Sequence, residues 1–419
     1  MRKGYVSAKG NLLYDGDGKP LLLQGTNIGG LFFQERWMSL TDGVDTLTTF
    51  NTLTTRFSKE DAWDLFDEYQ DNFFTTEDFD NLQRLGINCI RLPISYMDVY
   101  DCDFQLLKKD DPTAEEILSM KMSLRKSHLE KIDGLINSAE SHGMYVVLDL
   151  HGAFGSQNGN DHSLDARSRD WLWKQDELGD AYRELTLEVW ELLAERYKDY
   201  KNIAGYDILN EPAGDNGDPE GITYVTTKIQ WDYFNRLYKA IRKIDPNHIV
   251  IMESCWGAEN MPRPEEYGWQ NVVYEFHHYE SEWGDESQLL SFQRRIDNIV
   301  GANLNIPLYM GEFCVHASYE IWKSVIEEFQ ANDISWTSWT YKVKGESEWG
   351  LYLIRIQNEE GENLPISETP HISRGNDSFD EILRKWGKAQ RAGVHQNEAL
   401  CSVFTECLKT PYAPKTSSN

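Results

Sequence analysis

Across its 419 residues the sequence lacks any apolar run long enough to span a bilayer, which excludes a membrane-spanning helix. It has no Cys-x-x-Cys pair, so neither a redox motif nor a zinc ribbon is indicated. It has no repeat and no low-complexity linker, which excludes a solenoid and argues for one unit. Positive charge is scarce. Against 69 Asp and Glu stand 41 Lys and Arg, a net charge of -28 with a pI near 4.7. Such a field repels phosphates, so neither nucleic acid nor an anionic membrane surface is expected as a partner, and a neutral substrate fits better. The start, Met1-Arg2-Lys3-Gly4-Tyr5-Val6, has no signal-peptide apolar stretch. Together with six scattered cysteines (Cys89, Cys102, Cys255, Cys314, Cys401, Cys407) this reads as a reduced, cytoplasmic chain, although a mature secreted form would read the same. Oligomeric state is not legible.

What the sequence does have is a recurring pair: a short β-rich apolar run, then a longer helical pattern. The runs are Leu21–Thr26, Asn88–Leu92, Tyr145–Leu150, Ala204–Leu209, Ile249–Glu253, Val272–Phe276, Leu308–Gly311 and Ser335–Trp339. Between them, helices are expected over Thr76–Gly86, Leu129–His142, Tyr182–Tyr197 and Tyr233–Ile244, the last stopped by Asp245-Pro246. Eight near-continuous apolar strands separated by amphipathic helices imply the α/β class and a single closed (β/α)8 TIM barrel over residues 1–400. Tyr5–Pro20 reads as an N-terminal β-hairpin that plugs the barrel bottom, with its turn at Asp15-Gly16-Asp17-Gly18. Residues 31–74 are a long aromatic-rich insertion after the first strand, placed to shape the mouth. Residues 401–419 are expected to be a partly disordered tail.

In such barrels chemistry sits at the C-terminal ends of the strands. Here those ends carry Asn27, Arg91, His151, Asn210 with Glu211, Glu253, His277 with Tyr279, Glu312 and Trp339. Burying so many polar groups on one rim is costly unless they are used. In Ile208-Leu209-Asn210-Glu211-Pro212 a buried strand delivers an amide and an acid before Pro212 ends the ladder. Tyr309-Met310-Gly311-Glu312-Phe313 delivers a second acid from the seventh strand, across the mouth from the fourth. Two facing carboxyl groups suit glycosidic cleavage: one protonates the leaving oxygen, and the other meets the oxocarbenium-like centre. At a spacing of ~5–5.5 Å the second attacks covalently and configuration is retained. The bland alternative gives each Glu a nearby Arg or Lys and no chemistry.

Environment divides the roles. Arg91 and Tyr279 are expected beside Glu312, keeping a nucleophile ionised. Glu211, as acid/base, should then sit in a less cationic, partly apolar setting. Asn210 can donate to a sugar 2-hydroxyl, His151 and His277 suit hydroxyls or the tuning of carboxylates, and Trp339 offers a flat floor. Each His could equally be a satisfied core residue, and Trp336 reads as core.

At these residues the chain resembles glycoside hydrolase family 5, from about Gly25 to Lys342. The resemblance rests on Asn210-Glu211-Pro212, Ile90-Arg91-Leu92-Pro93, His277-x-Tyr279 and Gly311-Glu312-Phe313. It implies a β/α barrel that hydrolyses β-linked sugars with retention and without a metal or other cofactor, Glu211 being the acid/base and Glu312 the nucleophile. Asp149-Leu150-His151-Gly152-Ala153-Phe154-Gly155-Ser156-Gln157-Asn158-Gly159, and Asn27-Ile28-Gly29-Gly30 with Glu35 five residues on, look most like the exo-1,3-β-glucanase branch. By that resemblance Glu35 binds hydroxyls of the terminal sugar; its alternative is a surface pair with Arg36. The branch carries Pro where Phe154 stands and an aromatic where Asn160 stands, which weakens a stacking clamp beyond the scissile bond. The implied substrate is a β-linked oligosaccharide or small glycoside, cleaved from its end. Endo action on β-glucan, or action on glycosides with disaccharide, aryl or lipid parts, is the alternative. Two rivals lie outside this class: a metal-dependent barrel hydrolase using His151, His277, His278 and His316, which lacks a His-x-His on the first strand, and a sugar-binding module, which would not need both acids.

Overall fold

The structure is a computed structural model and describes residues 2–167, 169–212, 224–254, 258–345, 347–356, 369–389, 391 and 393–414. Eight parallel strands close into a barrel in chain order. They are β1 (Gln24–Asn27), β2 (Cys89–Ser95), β3 (Tyr145–Gly152), β4 (Ile203–Asp207), β5 (Ile249–Glu253), β6 (Val272–His278), β7 (Leu308–Phe313) and β8 (Ser335–Ser338). All eight expected strands are present. Their ends differ by a few residues, because pairing to both neighbours, rather than apolar content, decides where a ladder stops.

Strands β2 and β3 are buried along their whole length, as expected where a parallel sheet is covered on both faces. The covering helices follow the 3.6-residue rule. In Glu177–Tyr197 the buried stripe is Leu185, Val189, Trp190, Leu193, Ala194 and Tyr197, started by Asp176, whose side chain accepts from Gly179 N. Trp190 Nε1 donates to the carbonyl of Ile208 at 2.9 Å, tying this helix to the chain just before Asn210.

The N-terminal segment seals the barrel bottom, where Val6 and Leu13 join Leu23, Cys89, Val147, Ile251 and Tyr309 in one apolar cluster. It has three antiparallel strands rather than two. The first turn falls at Gly10-Asn11, between Ser7–Lys9 and Leu12–Tyr14, and Asp15–Gly18 makes the second. Leu21, read as part of the first barrel strand, pairs with Leu13 there instead.

The insertion after β1 folds into helices Thr46–Arg56 and Lys59–Phe73, whose Phe50, Leu53, Leu65, Phe66 and Tyr69 are buried. Tyr69 Oη donates to Gly30 O at 2.6 Å, which anchors the insertion to the loop above β1. Beyond β8, the strands Lys342–Lys344, Tyr352–Ile354 and Val394–Gln396 form a small sheet that the apolar pattern did not reveal. Residues 401–408, assigned to the tail from sequence, continue the helix Glu398–Leu408, because Cys401, Val403, Phe404 and Cys407 bury one face. The five described cysteines are free and buried; Cys255 lies outside the described residues. Among the described residues no helix is long and apolar enough to cross a membrane.

Candidate active site

Arg91, with no exposed surface, stands at the centre of the rim. Its Nη1 donates to Glu312 Oε1 at 2.7 Å and to Asn27 Oδ1 at 3.1 Å. Nη2 donates to Asp207 Oδ2 at 2.7 Å and to Asn210 Oδ1 at 2.9 Å. Asp149 and Glu275 lie within 3.2 and 3.3 Å of the same guanidinium. One cation thus faces four buried acids. Burial and mutual repulsion push Asp149 and Glu275 well above the usual carboxylate range, the Arg91 charge only partly offsetting this. Burial opposes the charge on Arg91, but the surrounding carboxylates more than restore it.

Glu312 is held at both oxygens, Oε1 by Arg91 and Oε2 by the Tyr279 hydroxyl at 2.8 Å. Register supports this, since His277 of β6 faces Glu312 of β7 across the ladder, just after a bulge at Phe276/His277. Gly311 lets the two strands approach. A Cβ there would lie 1.5 Å from Glu275 Oε1 and 3.0 Å from His277 Nε2. Gly311→Ala should therefore displace Glu275 from both Arg91 and His277, costing about 1–3 kcal/mol of stability and roughly tenfold or more in kcat. Thermal unfolding with steady-state kinetics checks this; a stable, fully active variant would show that Glu275 does not set the geometry.

Glu211 follows β4 with a left-handed backbone, φ 41°, a conformation that costs a non-glycine residue about 1–3 kcal/mol and clusters at functional sites. Its amide N–H donates to the buried Glu253 carboxyl, and Asn158 Nδ2 donates to its carbonyl at 3.1 Å. Two imidazoles meet its side chain. His277 Nδ1 lies 2.9 Å from Oε1, and His162 Nε2 lies 2.9 Å from Oε2. Burial pushes this carboxyl up, but His162 and then His277 outweigh it and hold Glu211 well below the usual range. The sequence reading placed Glu211 in a less cationic setting; that expectation is corrected, because His162 comes from a loop whose position no periodicity encodes. Burial works against both imidazolium ions, yet the acids around them raise His277 to about 9, through Glu253 and Glu312 foremost, and His162 to about 9, through Glu211 foremost.

An oxygen of Glu211 and one of Glu312 lie within 4.8 Å of each other, and His277 Nδ1 is 2.9 Å from Glu211 and 3.6 Å from Glu312. A cavity of about 410 Å³ opens on the Glu211 side, lined by Asn158, Asn160, Glu253, His277 and Tyr279. Glu35, beside His162, is only 7% exposed. It accepts from Trp37 Nε1 at 2.7 Å, and burial pushes it up to about 8. It is not a surface partner of Arg36. Glu35, Asp161 and His162 also bring side-chain atoms within 4.8 Å. In both triples the neighbouring acids raise the imidazole to about 9, so a metal ion would have to displace its proton before binding there.

The remaining candidates divide. His151 Nδ1 pairs with Asp149 at 2.7 Å, and its ring stacks on Phe33 and, at 5.5 Å and 7°, on Trp339. Burial and the nearby Arg91 charge keep His151 neutral. Trp339 is 3% exposed, so it stands in the wall more than on an open floor. Asn210 Nδ2 has no partner among the described residues. His278 turns away to Ser291, and His316 to Glu348. The sequence reading missed His162, the positioning role of Glu253, and the strand-interior acids Asp149, Asp207 and Glu275. An Asp or Glu within a fully buried strand was the available signal for the last three. It also missed a cluster of rings around Trp349, which Trp37, Tyr279 and His316 contact at 5.0–5.4 Å, with the exposed Trp283 stacked on His316 at 4.7 Å.

A family model described as Cellulase (glycosyl hydrolase family 5) matches residues 46–345. A Beta-xylosidase of Phanerodontia chrysosporium is 27% identical over 367 residues, covering 81% of this chain and 71% of that one. A Probable glucan 1,3-beta-glucosidase A of Aspergillus fumigatus is 30% identical over 263 residues, 62% of this chain. The match spans only 56% of that relative's length. Among solved structures, the rutinosidase from Aspergillus niger superposes with a TM-score of 0.58 at 16% identity, over 78% of this chain and 92% of that one, a likeness of fold.

Proposed function

The chain belongs to the cellulase family, glycosyl hydrolase family 5, and from that membership we propose that it is a retaining β-glycoside hydrolase that removes sugars from the end of a β-linked oligosaccharide or small glycoside. That it is a glycoside hydrolase follows from the family; the mechanism, residue roles and substrate are our reading. The observation that carries it is the spacing of Glu211 and Glu312, an oxygen of each lying within 4.8 Å of the other, which favours direct attack by Glu312 over the wider gap an inverting enzyme needs for a water between its general base and the sugar.

In this reading Glu312 attacks the anomeric carbon, aimed by Arg91 and Tyr279. Glu211 protonates the leaving oxygen and later takes a proton from the incoming water. Asn210 Nδ2, left unpartnered, donates to the 2-hydroxyl, a contact that strengthens as charge develops at the ring. The neutral His151 and the Trp339 ring form the wall against the glycone. Glu35, buried beside Trp37, takes hydroxyls at a closed end, which favours exo action. The aromatic cluster from Tyr279 to Trp283 supplies flat faces on which a further sugar or an aryl group can stack, the one observation that favours longer or aryl-substituted glycosides.

The test is hydrolysis of β-glucosides, β-xylosides and β-1,3- and β-1,4-linked oligosaccharides, with the first-formed anomer followed by NMR. β-Anomer first, one sugar at a time, is expected; α-anomer first would end the retaining assignment. Glu211→Ala should keep a fast first step on substrates with good leaving groups and accumulate the glycosyl-enzyme, while poor leaving groups lose about 10²–10⁴-fold. Equal losses for both kinds would contradict its role as acid.

A further inference from the structure

A general acid must offer a proton, yet Glu211 meets an imidazole nitrogen at 2.9 Å from each oxygen, hydrogen-bonded to His277 and ion-paired to His162. His162 Nε2 has no aligned hydrogen-bond partner among the described residues. These charges hold the Glu211 carboxyl well below the usual range. The two imidazoles differ. His277 belongs to β6, and Glu253, Glu275 and Glu312 all lie within 3.6 Å of its nitrogens, so it is fixed. His162 sits in the short 3-10 turn Asp161–Ser163 of the β3 loop, about a fifth of its side chain exposed. Its ring faces Glu211, Glu35 and Asp161, and stands 6.5 Å edge-on from the neutral His151.

We propose that His162 is the proton-holding partner of Glu211, keeping on Nε2 the proton that Oε2 delivers to the leaving group. This rests on Glu211 being the acid/base. When a leaving oxygen docks against Oε2, water is expelled and a separated ion pair becomes costlier than a neutral pair. The Nε2–H bond breaks and Oε2–H forms, leaving a neutral imidazole. The Oε2–H proton then passes to the leaving oxygen as the C1–O bond breaks toward that oxygen and Glu312 bonds to C1. In the second half, Glu211 takes a proton from water as water's oxygen bonds to C1, the bond to Glu312 breaks, and the proton returns to His162. His162 touches no substrate atom and acts only through Glu211, so it is a positioning residue, and the proton count of the pair, not of Glu211 alone, sets the alkaline limit of activity.

The experiment compares His162→Gln with wild type on phenyl and 2,4-dinitrophenyl β-glucosides, recording kcat/KM against pH. In wild type, the alkaline limb for the phenyl substrate follows loss of the pair's last proton. In the variant it should fall by at least about one pH unit, because only a carboxyl remains to hold that proton. The dinitrophenyl substrate, whose departure needs no proton, should keep its first-step rate within about threefold. An unmoved limb, or equal losses on both substrates at every pH, would overturn the proposal. A wild type inactive on both glucosides would count against the proposed substrate instead. Independent of any substrate, NMR titration of the ring should find His162 charged at pH 7 and titrating lower in Glu211→Gln. A neutral ring, or no response to that change, would equally refute it.

Discussion

In Glu312→Ala, kcat should fall by on the order of 10⁵-fold, the scale expected when the group that bonds covalently to substrate is removed. Arg91 and Tyr279 converge on its two oxygens, at 2.7 and 2.8 Å, and among the described residues Glu312 is the carboxylate that both of them hold. The shortened side chain leaves room for a small anion, so azide should restore part of the rate and give an α-glycosyl azide from a β-glycoside. Folding should survive, because the change takes one acid from a cluster where four face a single guanidinium. Rates with and without azide, with product configuration by NMR, check this. Wild-type turnover, or a β-configured azide product, would remove Glu312 from the role.

Arg91→Ala should be the most destabilising single change at the site, by about 3–5 kcal/mol, the range for leaving buried charge without its partner. Asp149, Asp207, Glu275 and Glu312 would lose their shared cation, and Asn27 and Asn210 their donor. The loss should also depend on pH. Asp149 and Glu275 already have folded-state values above their unfolded ones, from burial first. A group raised in this way contributes stability that is complete below its unfolded value and is lost as pH rises through the folded one. Without Arg91 the folded values rise further, so the deficit should be small near pH 4.5 and full near pH 8. Urea denaturation of both proteins at the two pH values measures it. A deficit under about 1 kcal/mol, or one that shrinks as pH rises, would show that the cluster is compensated by something other than the guanidinium.

Much of this site was legible beforehand. Glu312 and Glu211 stood out because a buried strand that ends in an acid is expensive without a purpose. Arg91 and Tyr279 were expected beside Glu312, and the structure puts them there. Glu35, read as a binder of the terminal sugar, is buried and accepts from Trp37. His162 was not legible. It lies in a loop with neither a 2.0 nor a 3.6 periodicity, and nothing local says that residue 162 meets residue 211. Glu253 stood on the rim, but its acceptance of the Glu211 amide depends on a left-handed backbone that a non-glycine residue does not announce. The end of the chain was misread for a related reason. Cys401, Phe404 and Cys407 form a helical stripe too short to distinguish from chance until Trp322 and Trp336 are found against it.

The sequence alone determined the eight strands, their order, and which acids they carry to the rim. Periodicity, turn residues and the cost of burying charge are local properties, and all are written in consecutive residues. Only the tertiary structure decided how the charges meet: one guanidinium among four acids, and an acid/base candidate ion-paired to two imidazoles. Those contacts join residues separated by as many as 221 positions. Proton affinities in a dry pocket depend on distances of a few ångströms, which the closing of the barrel sets.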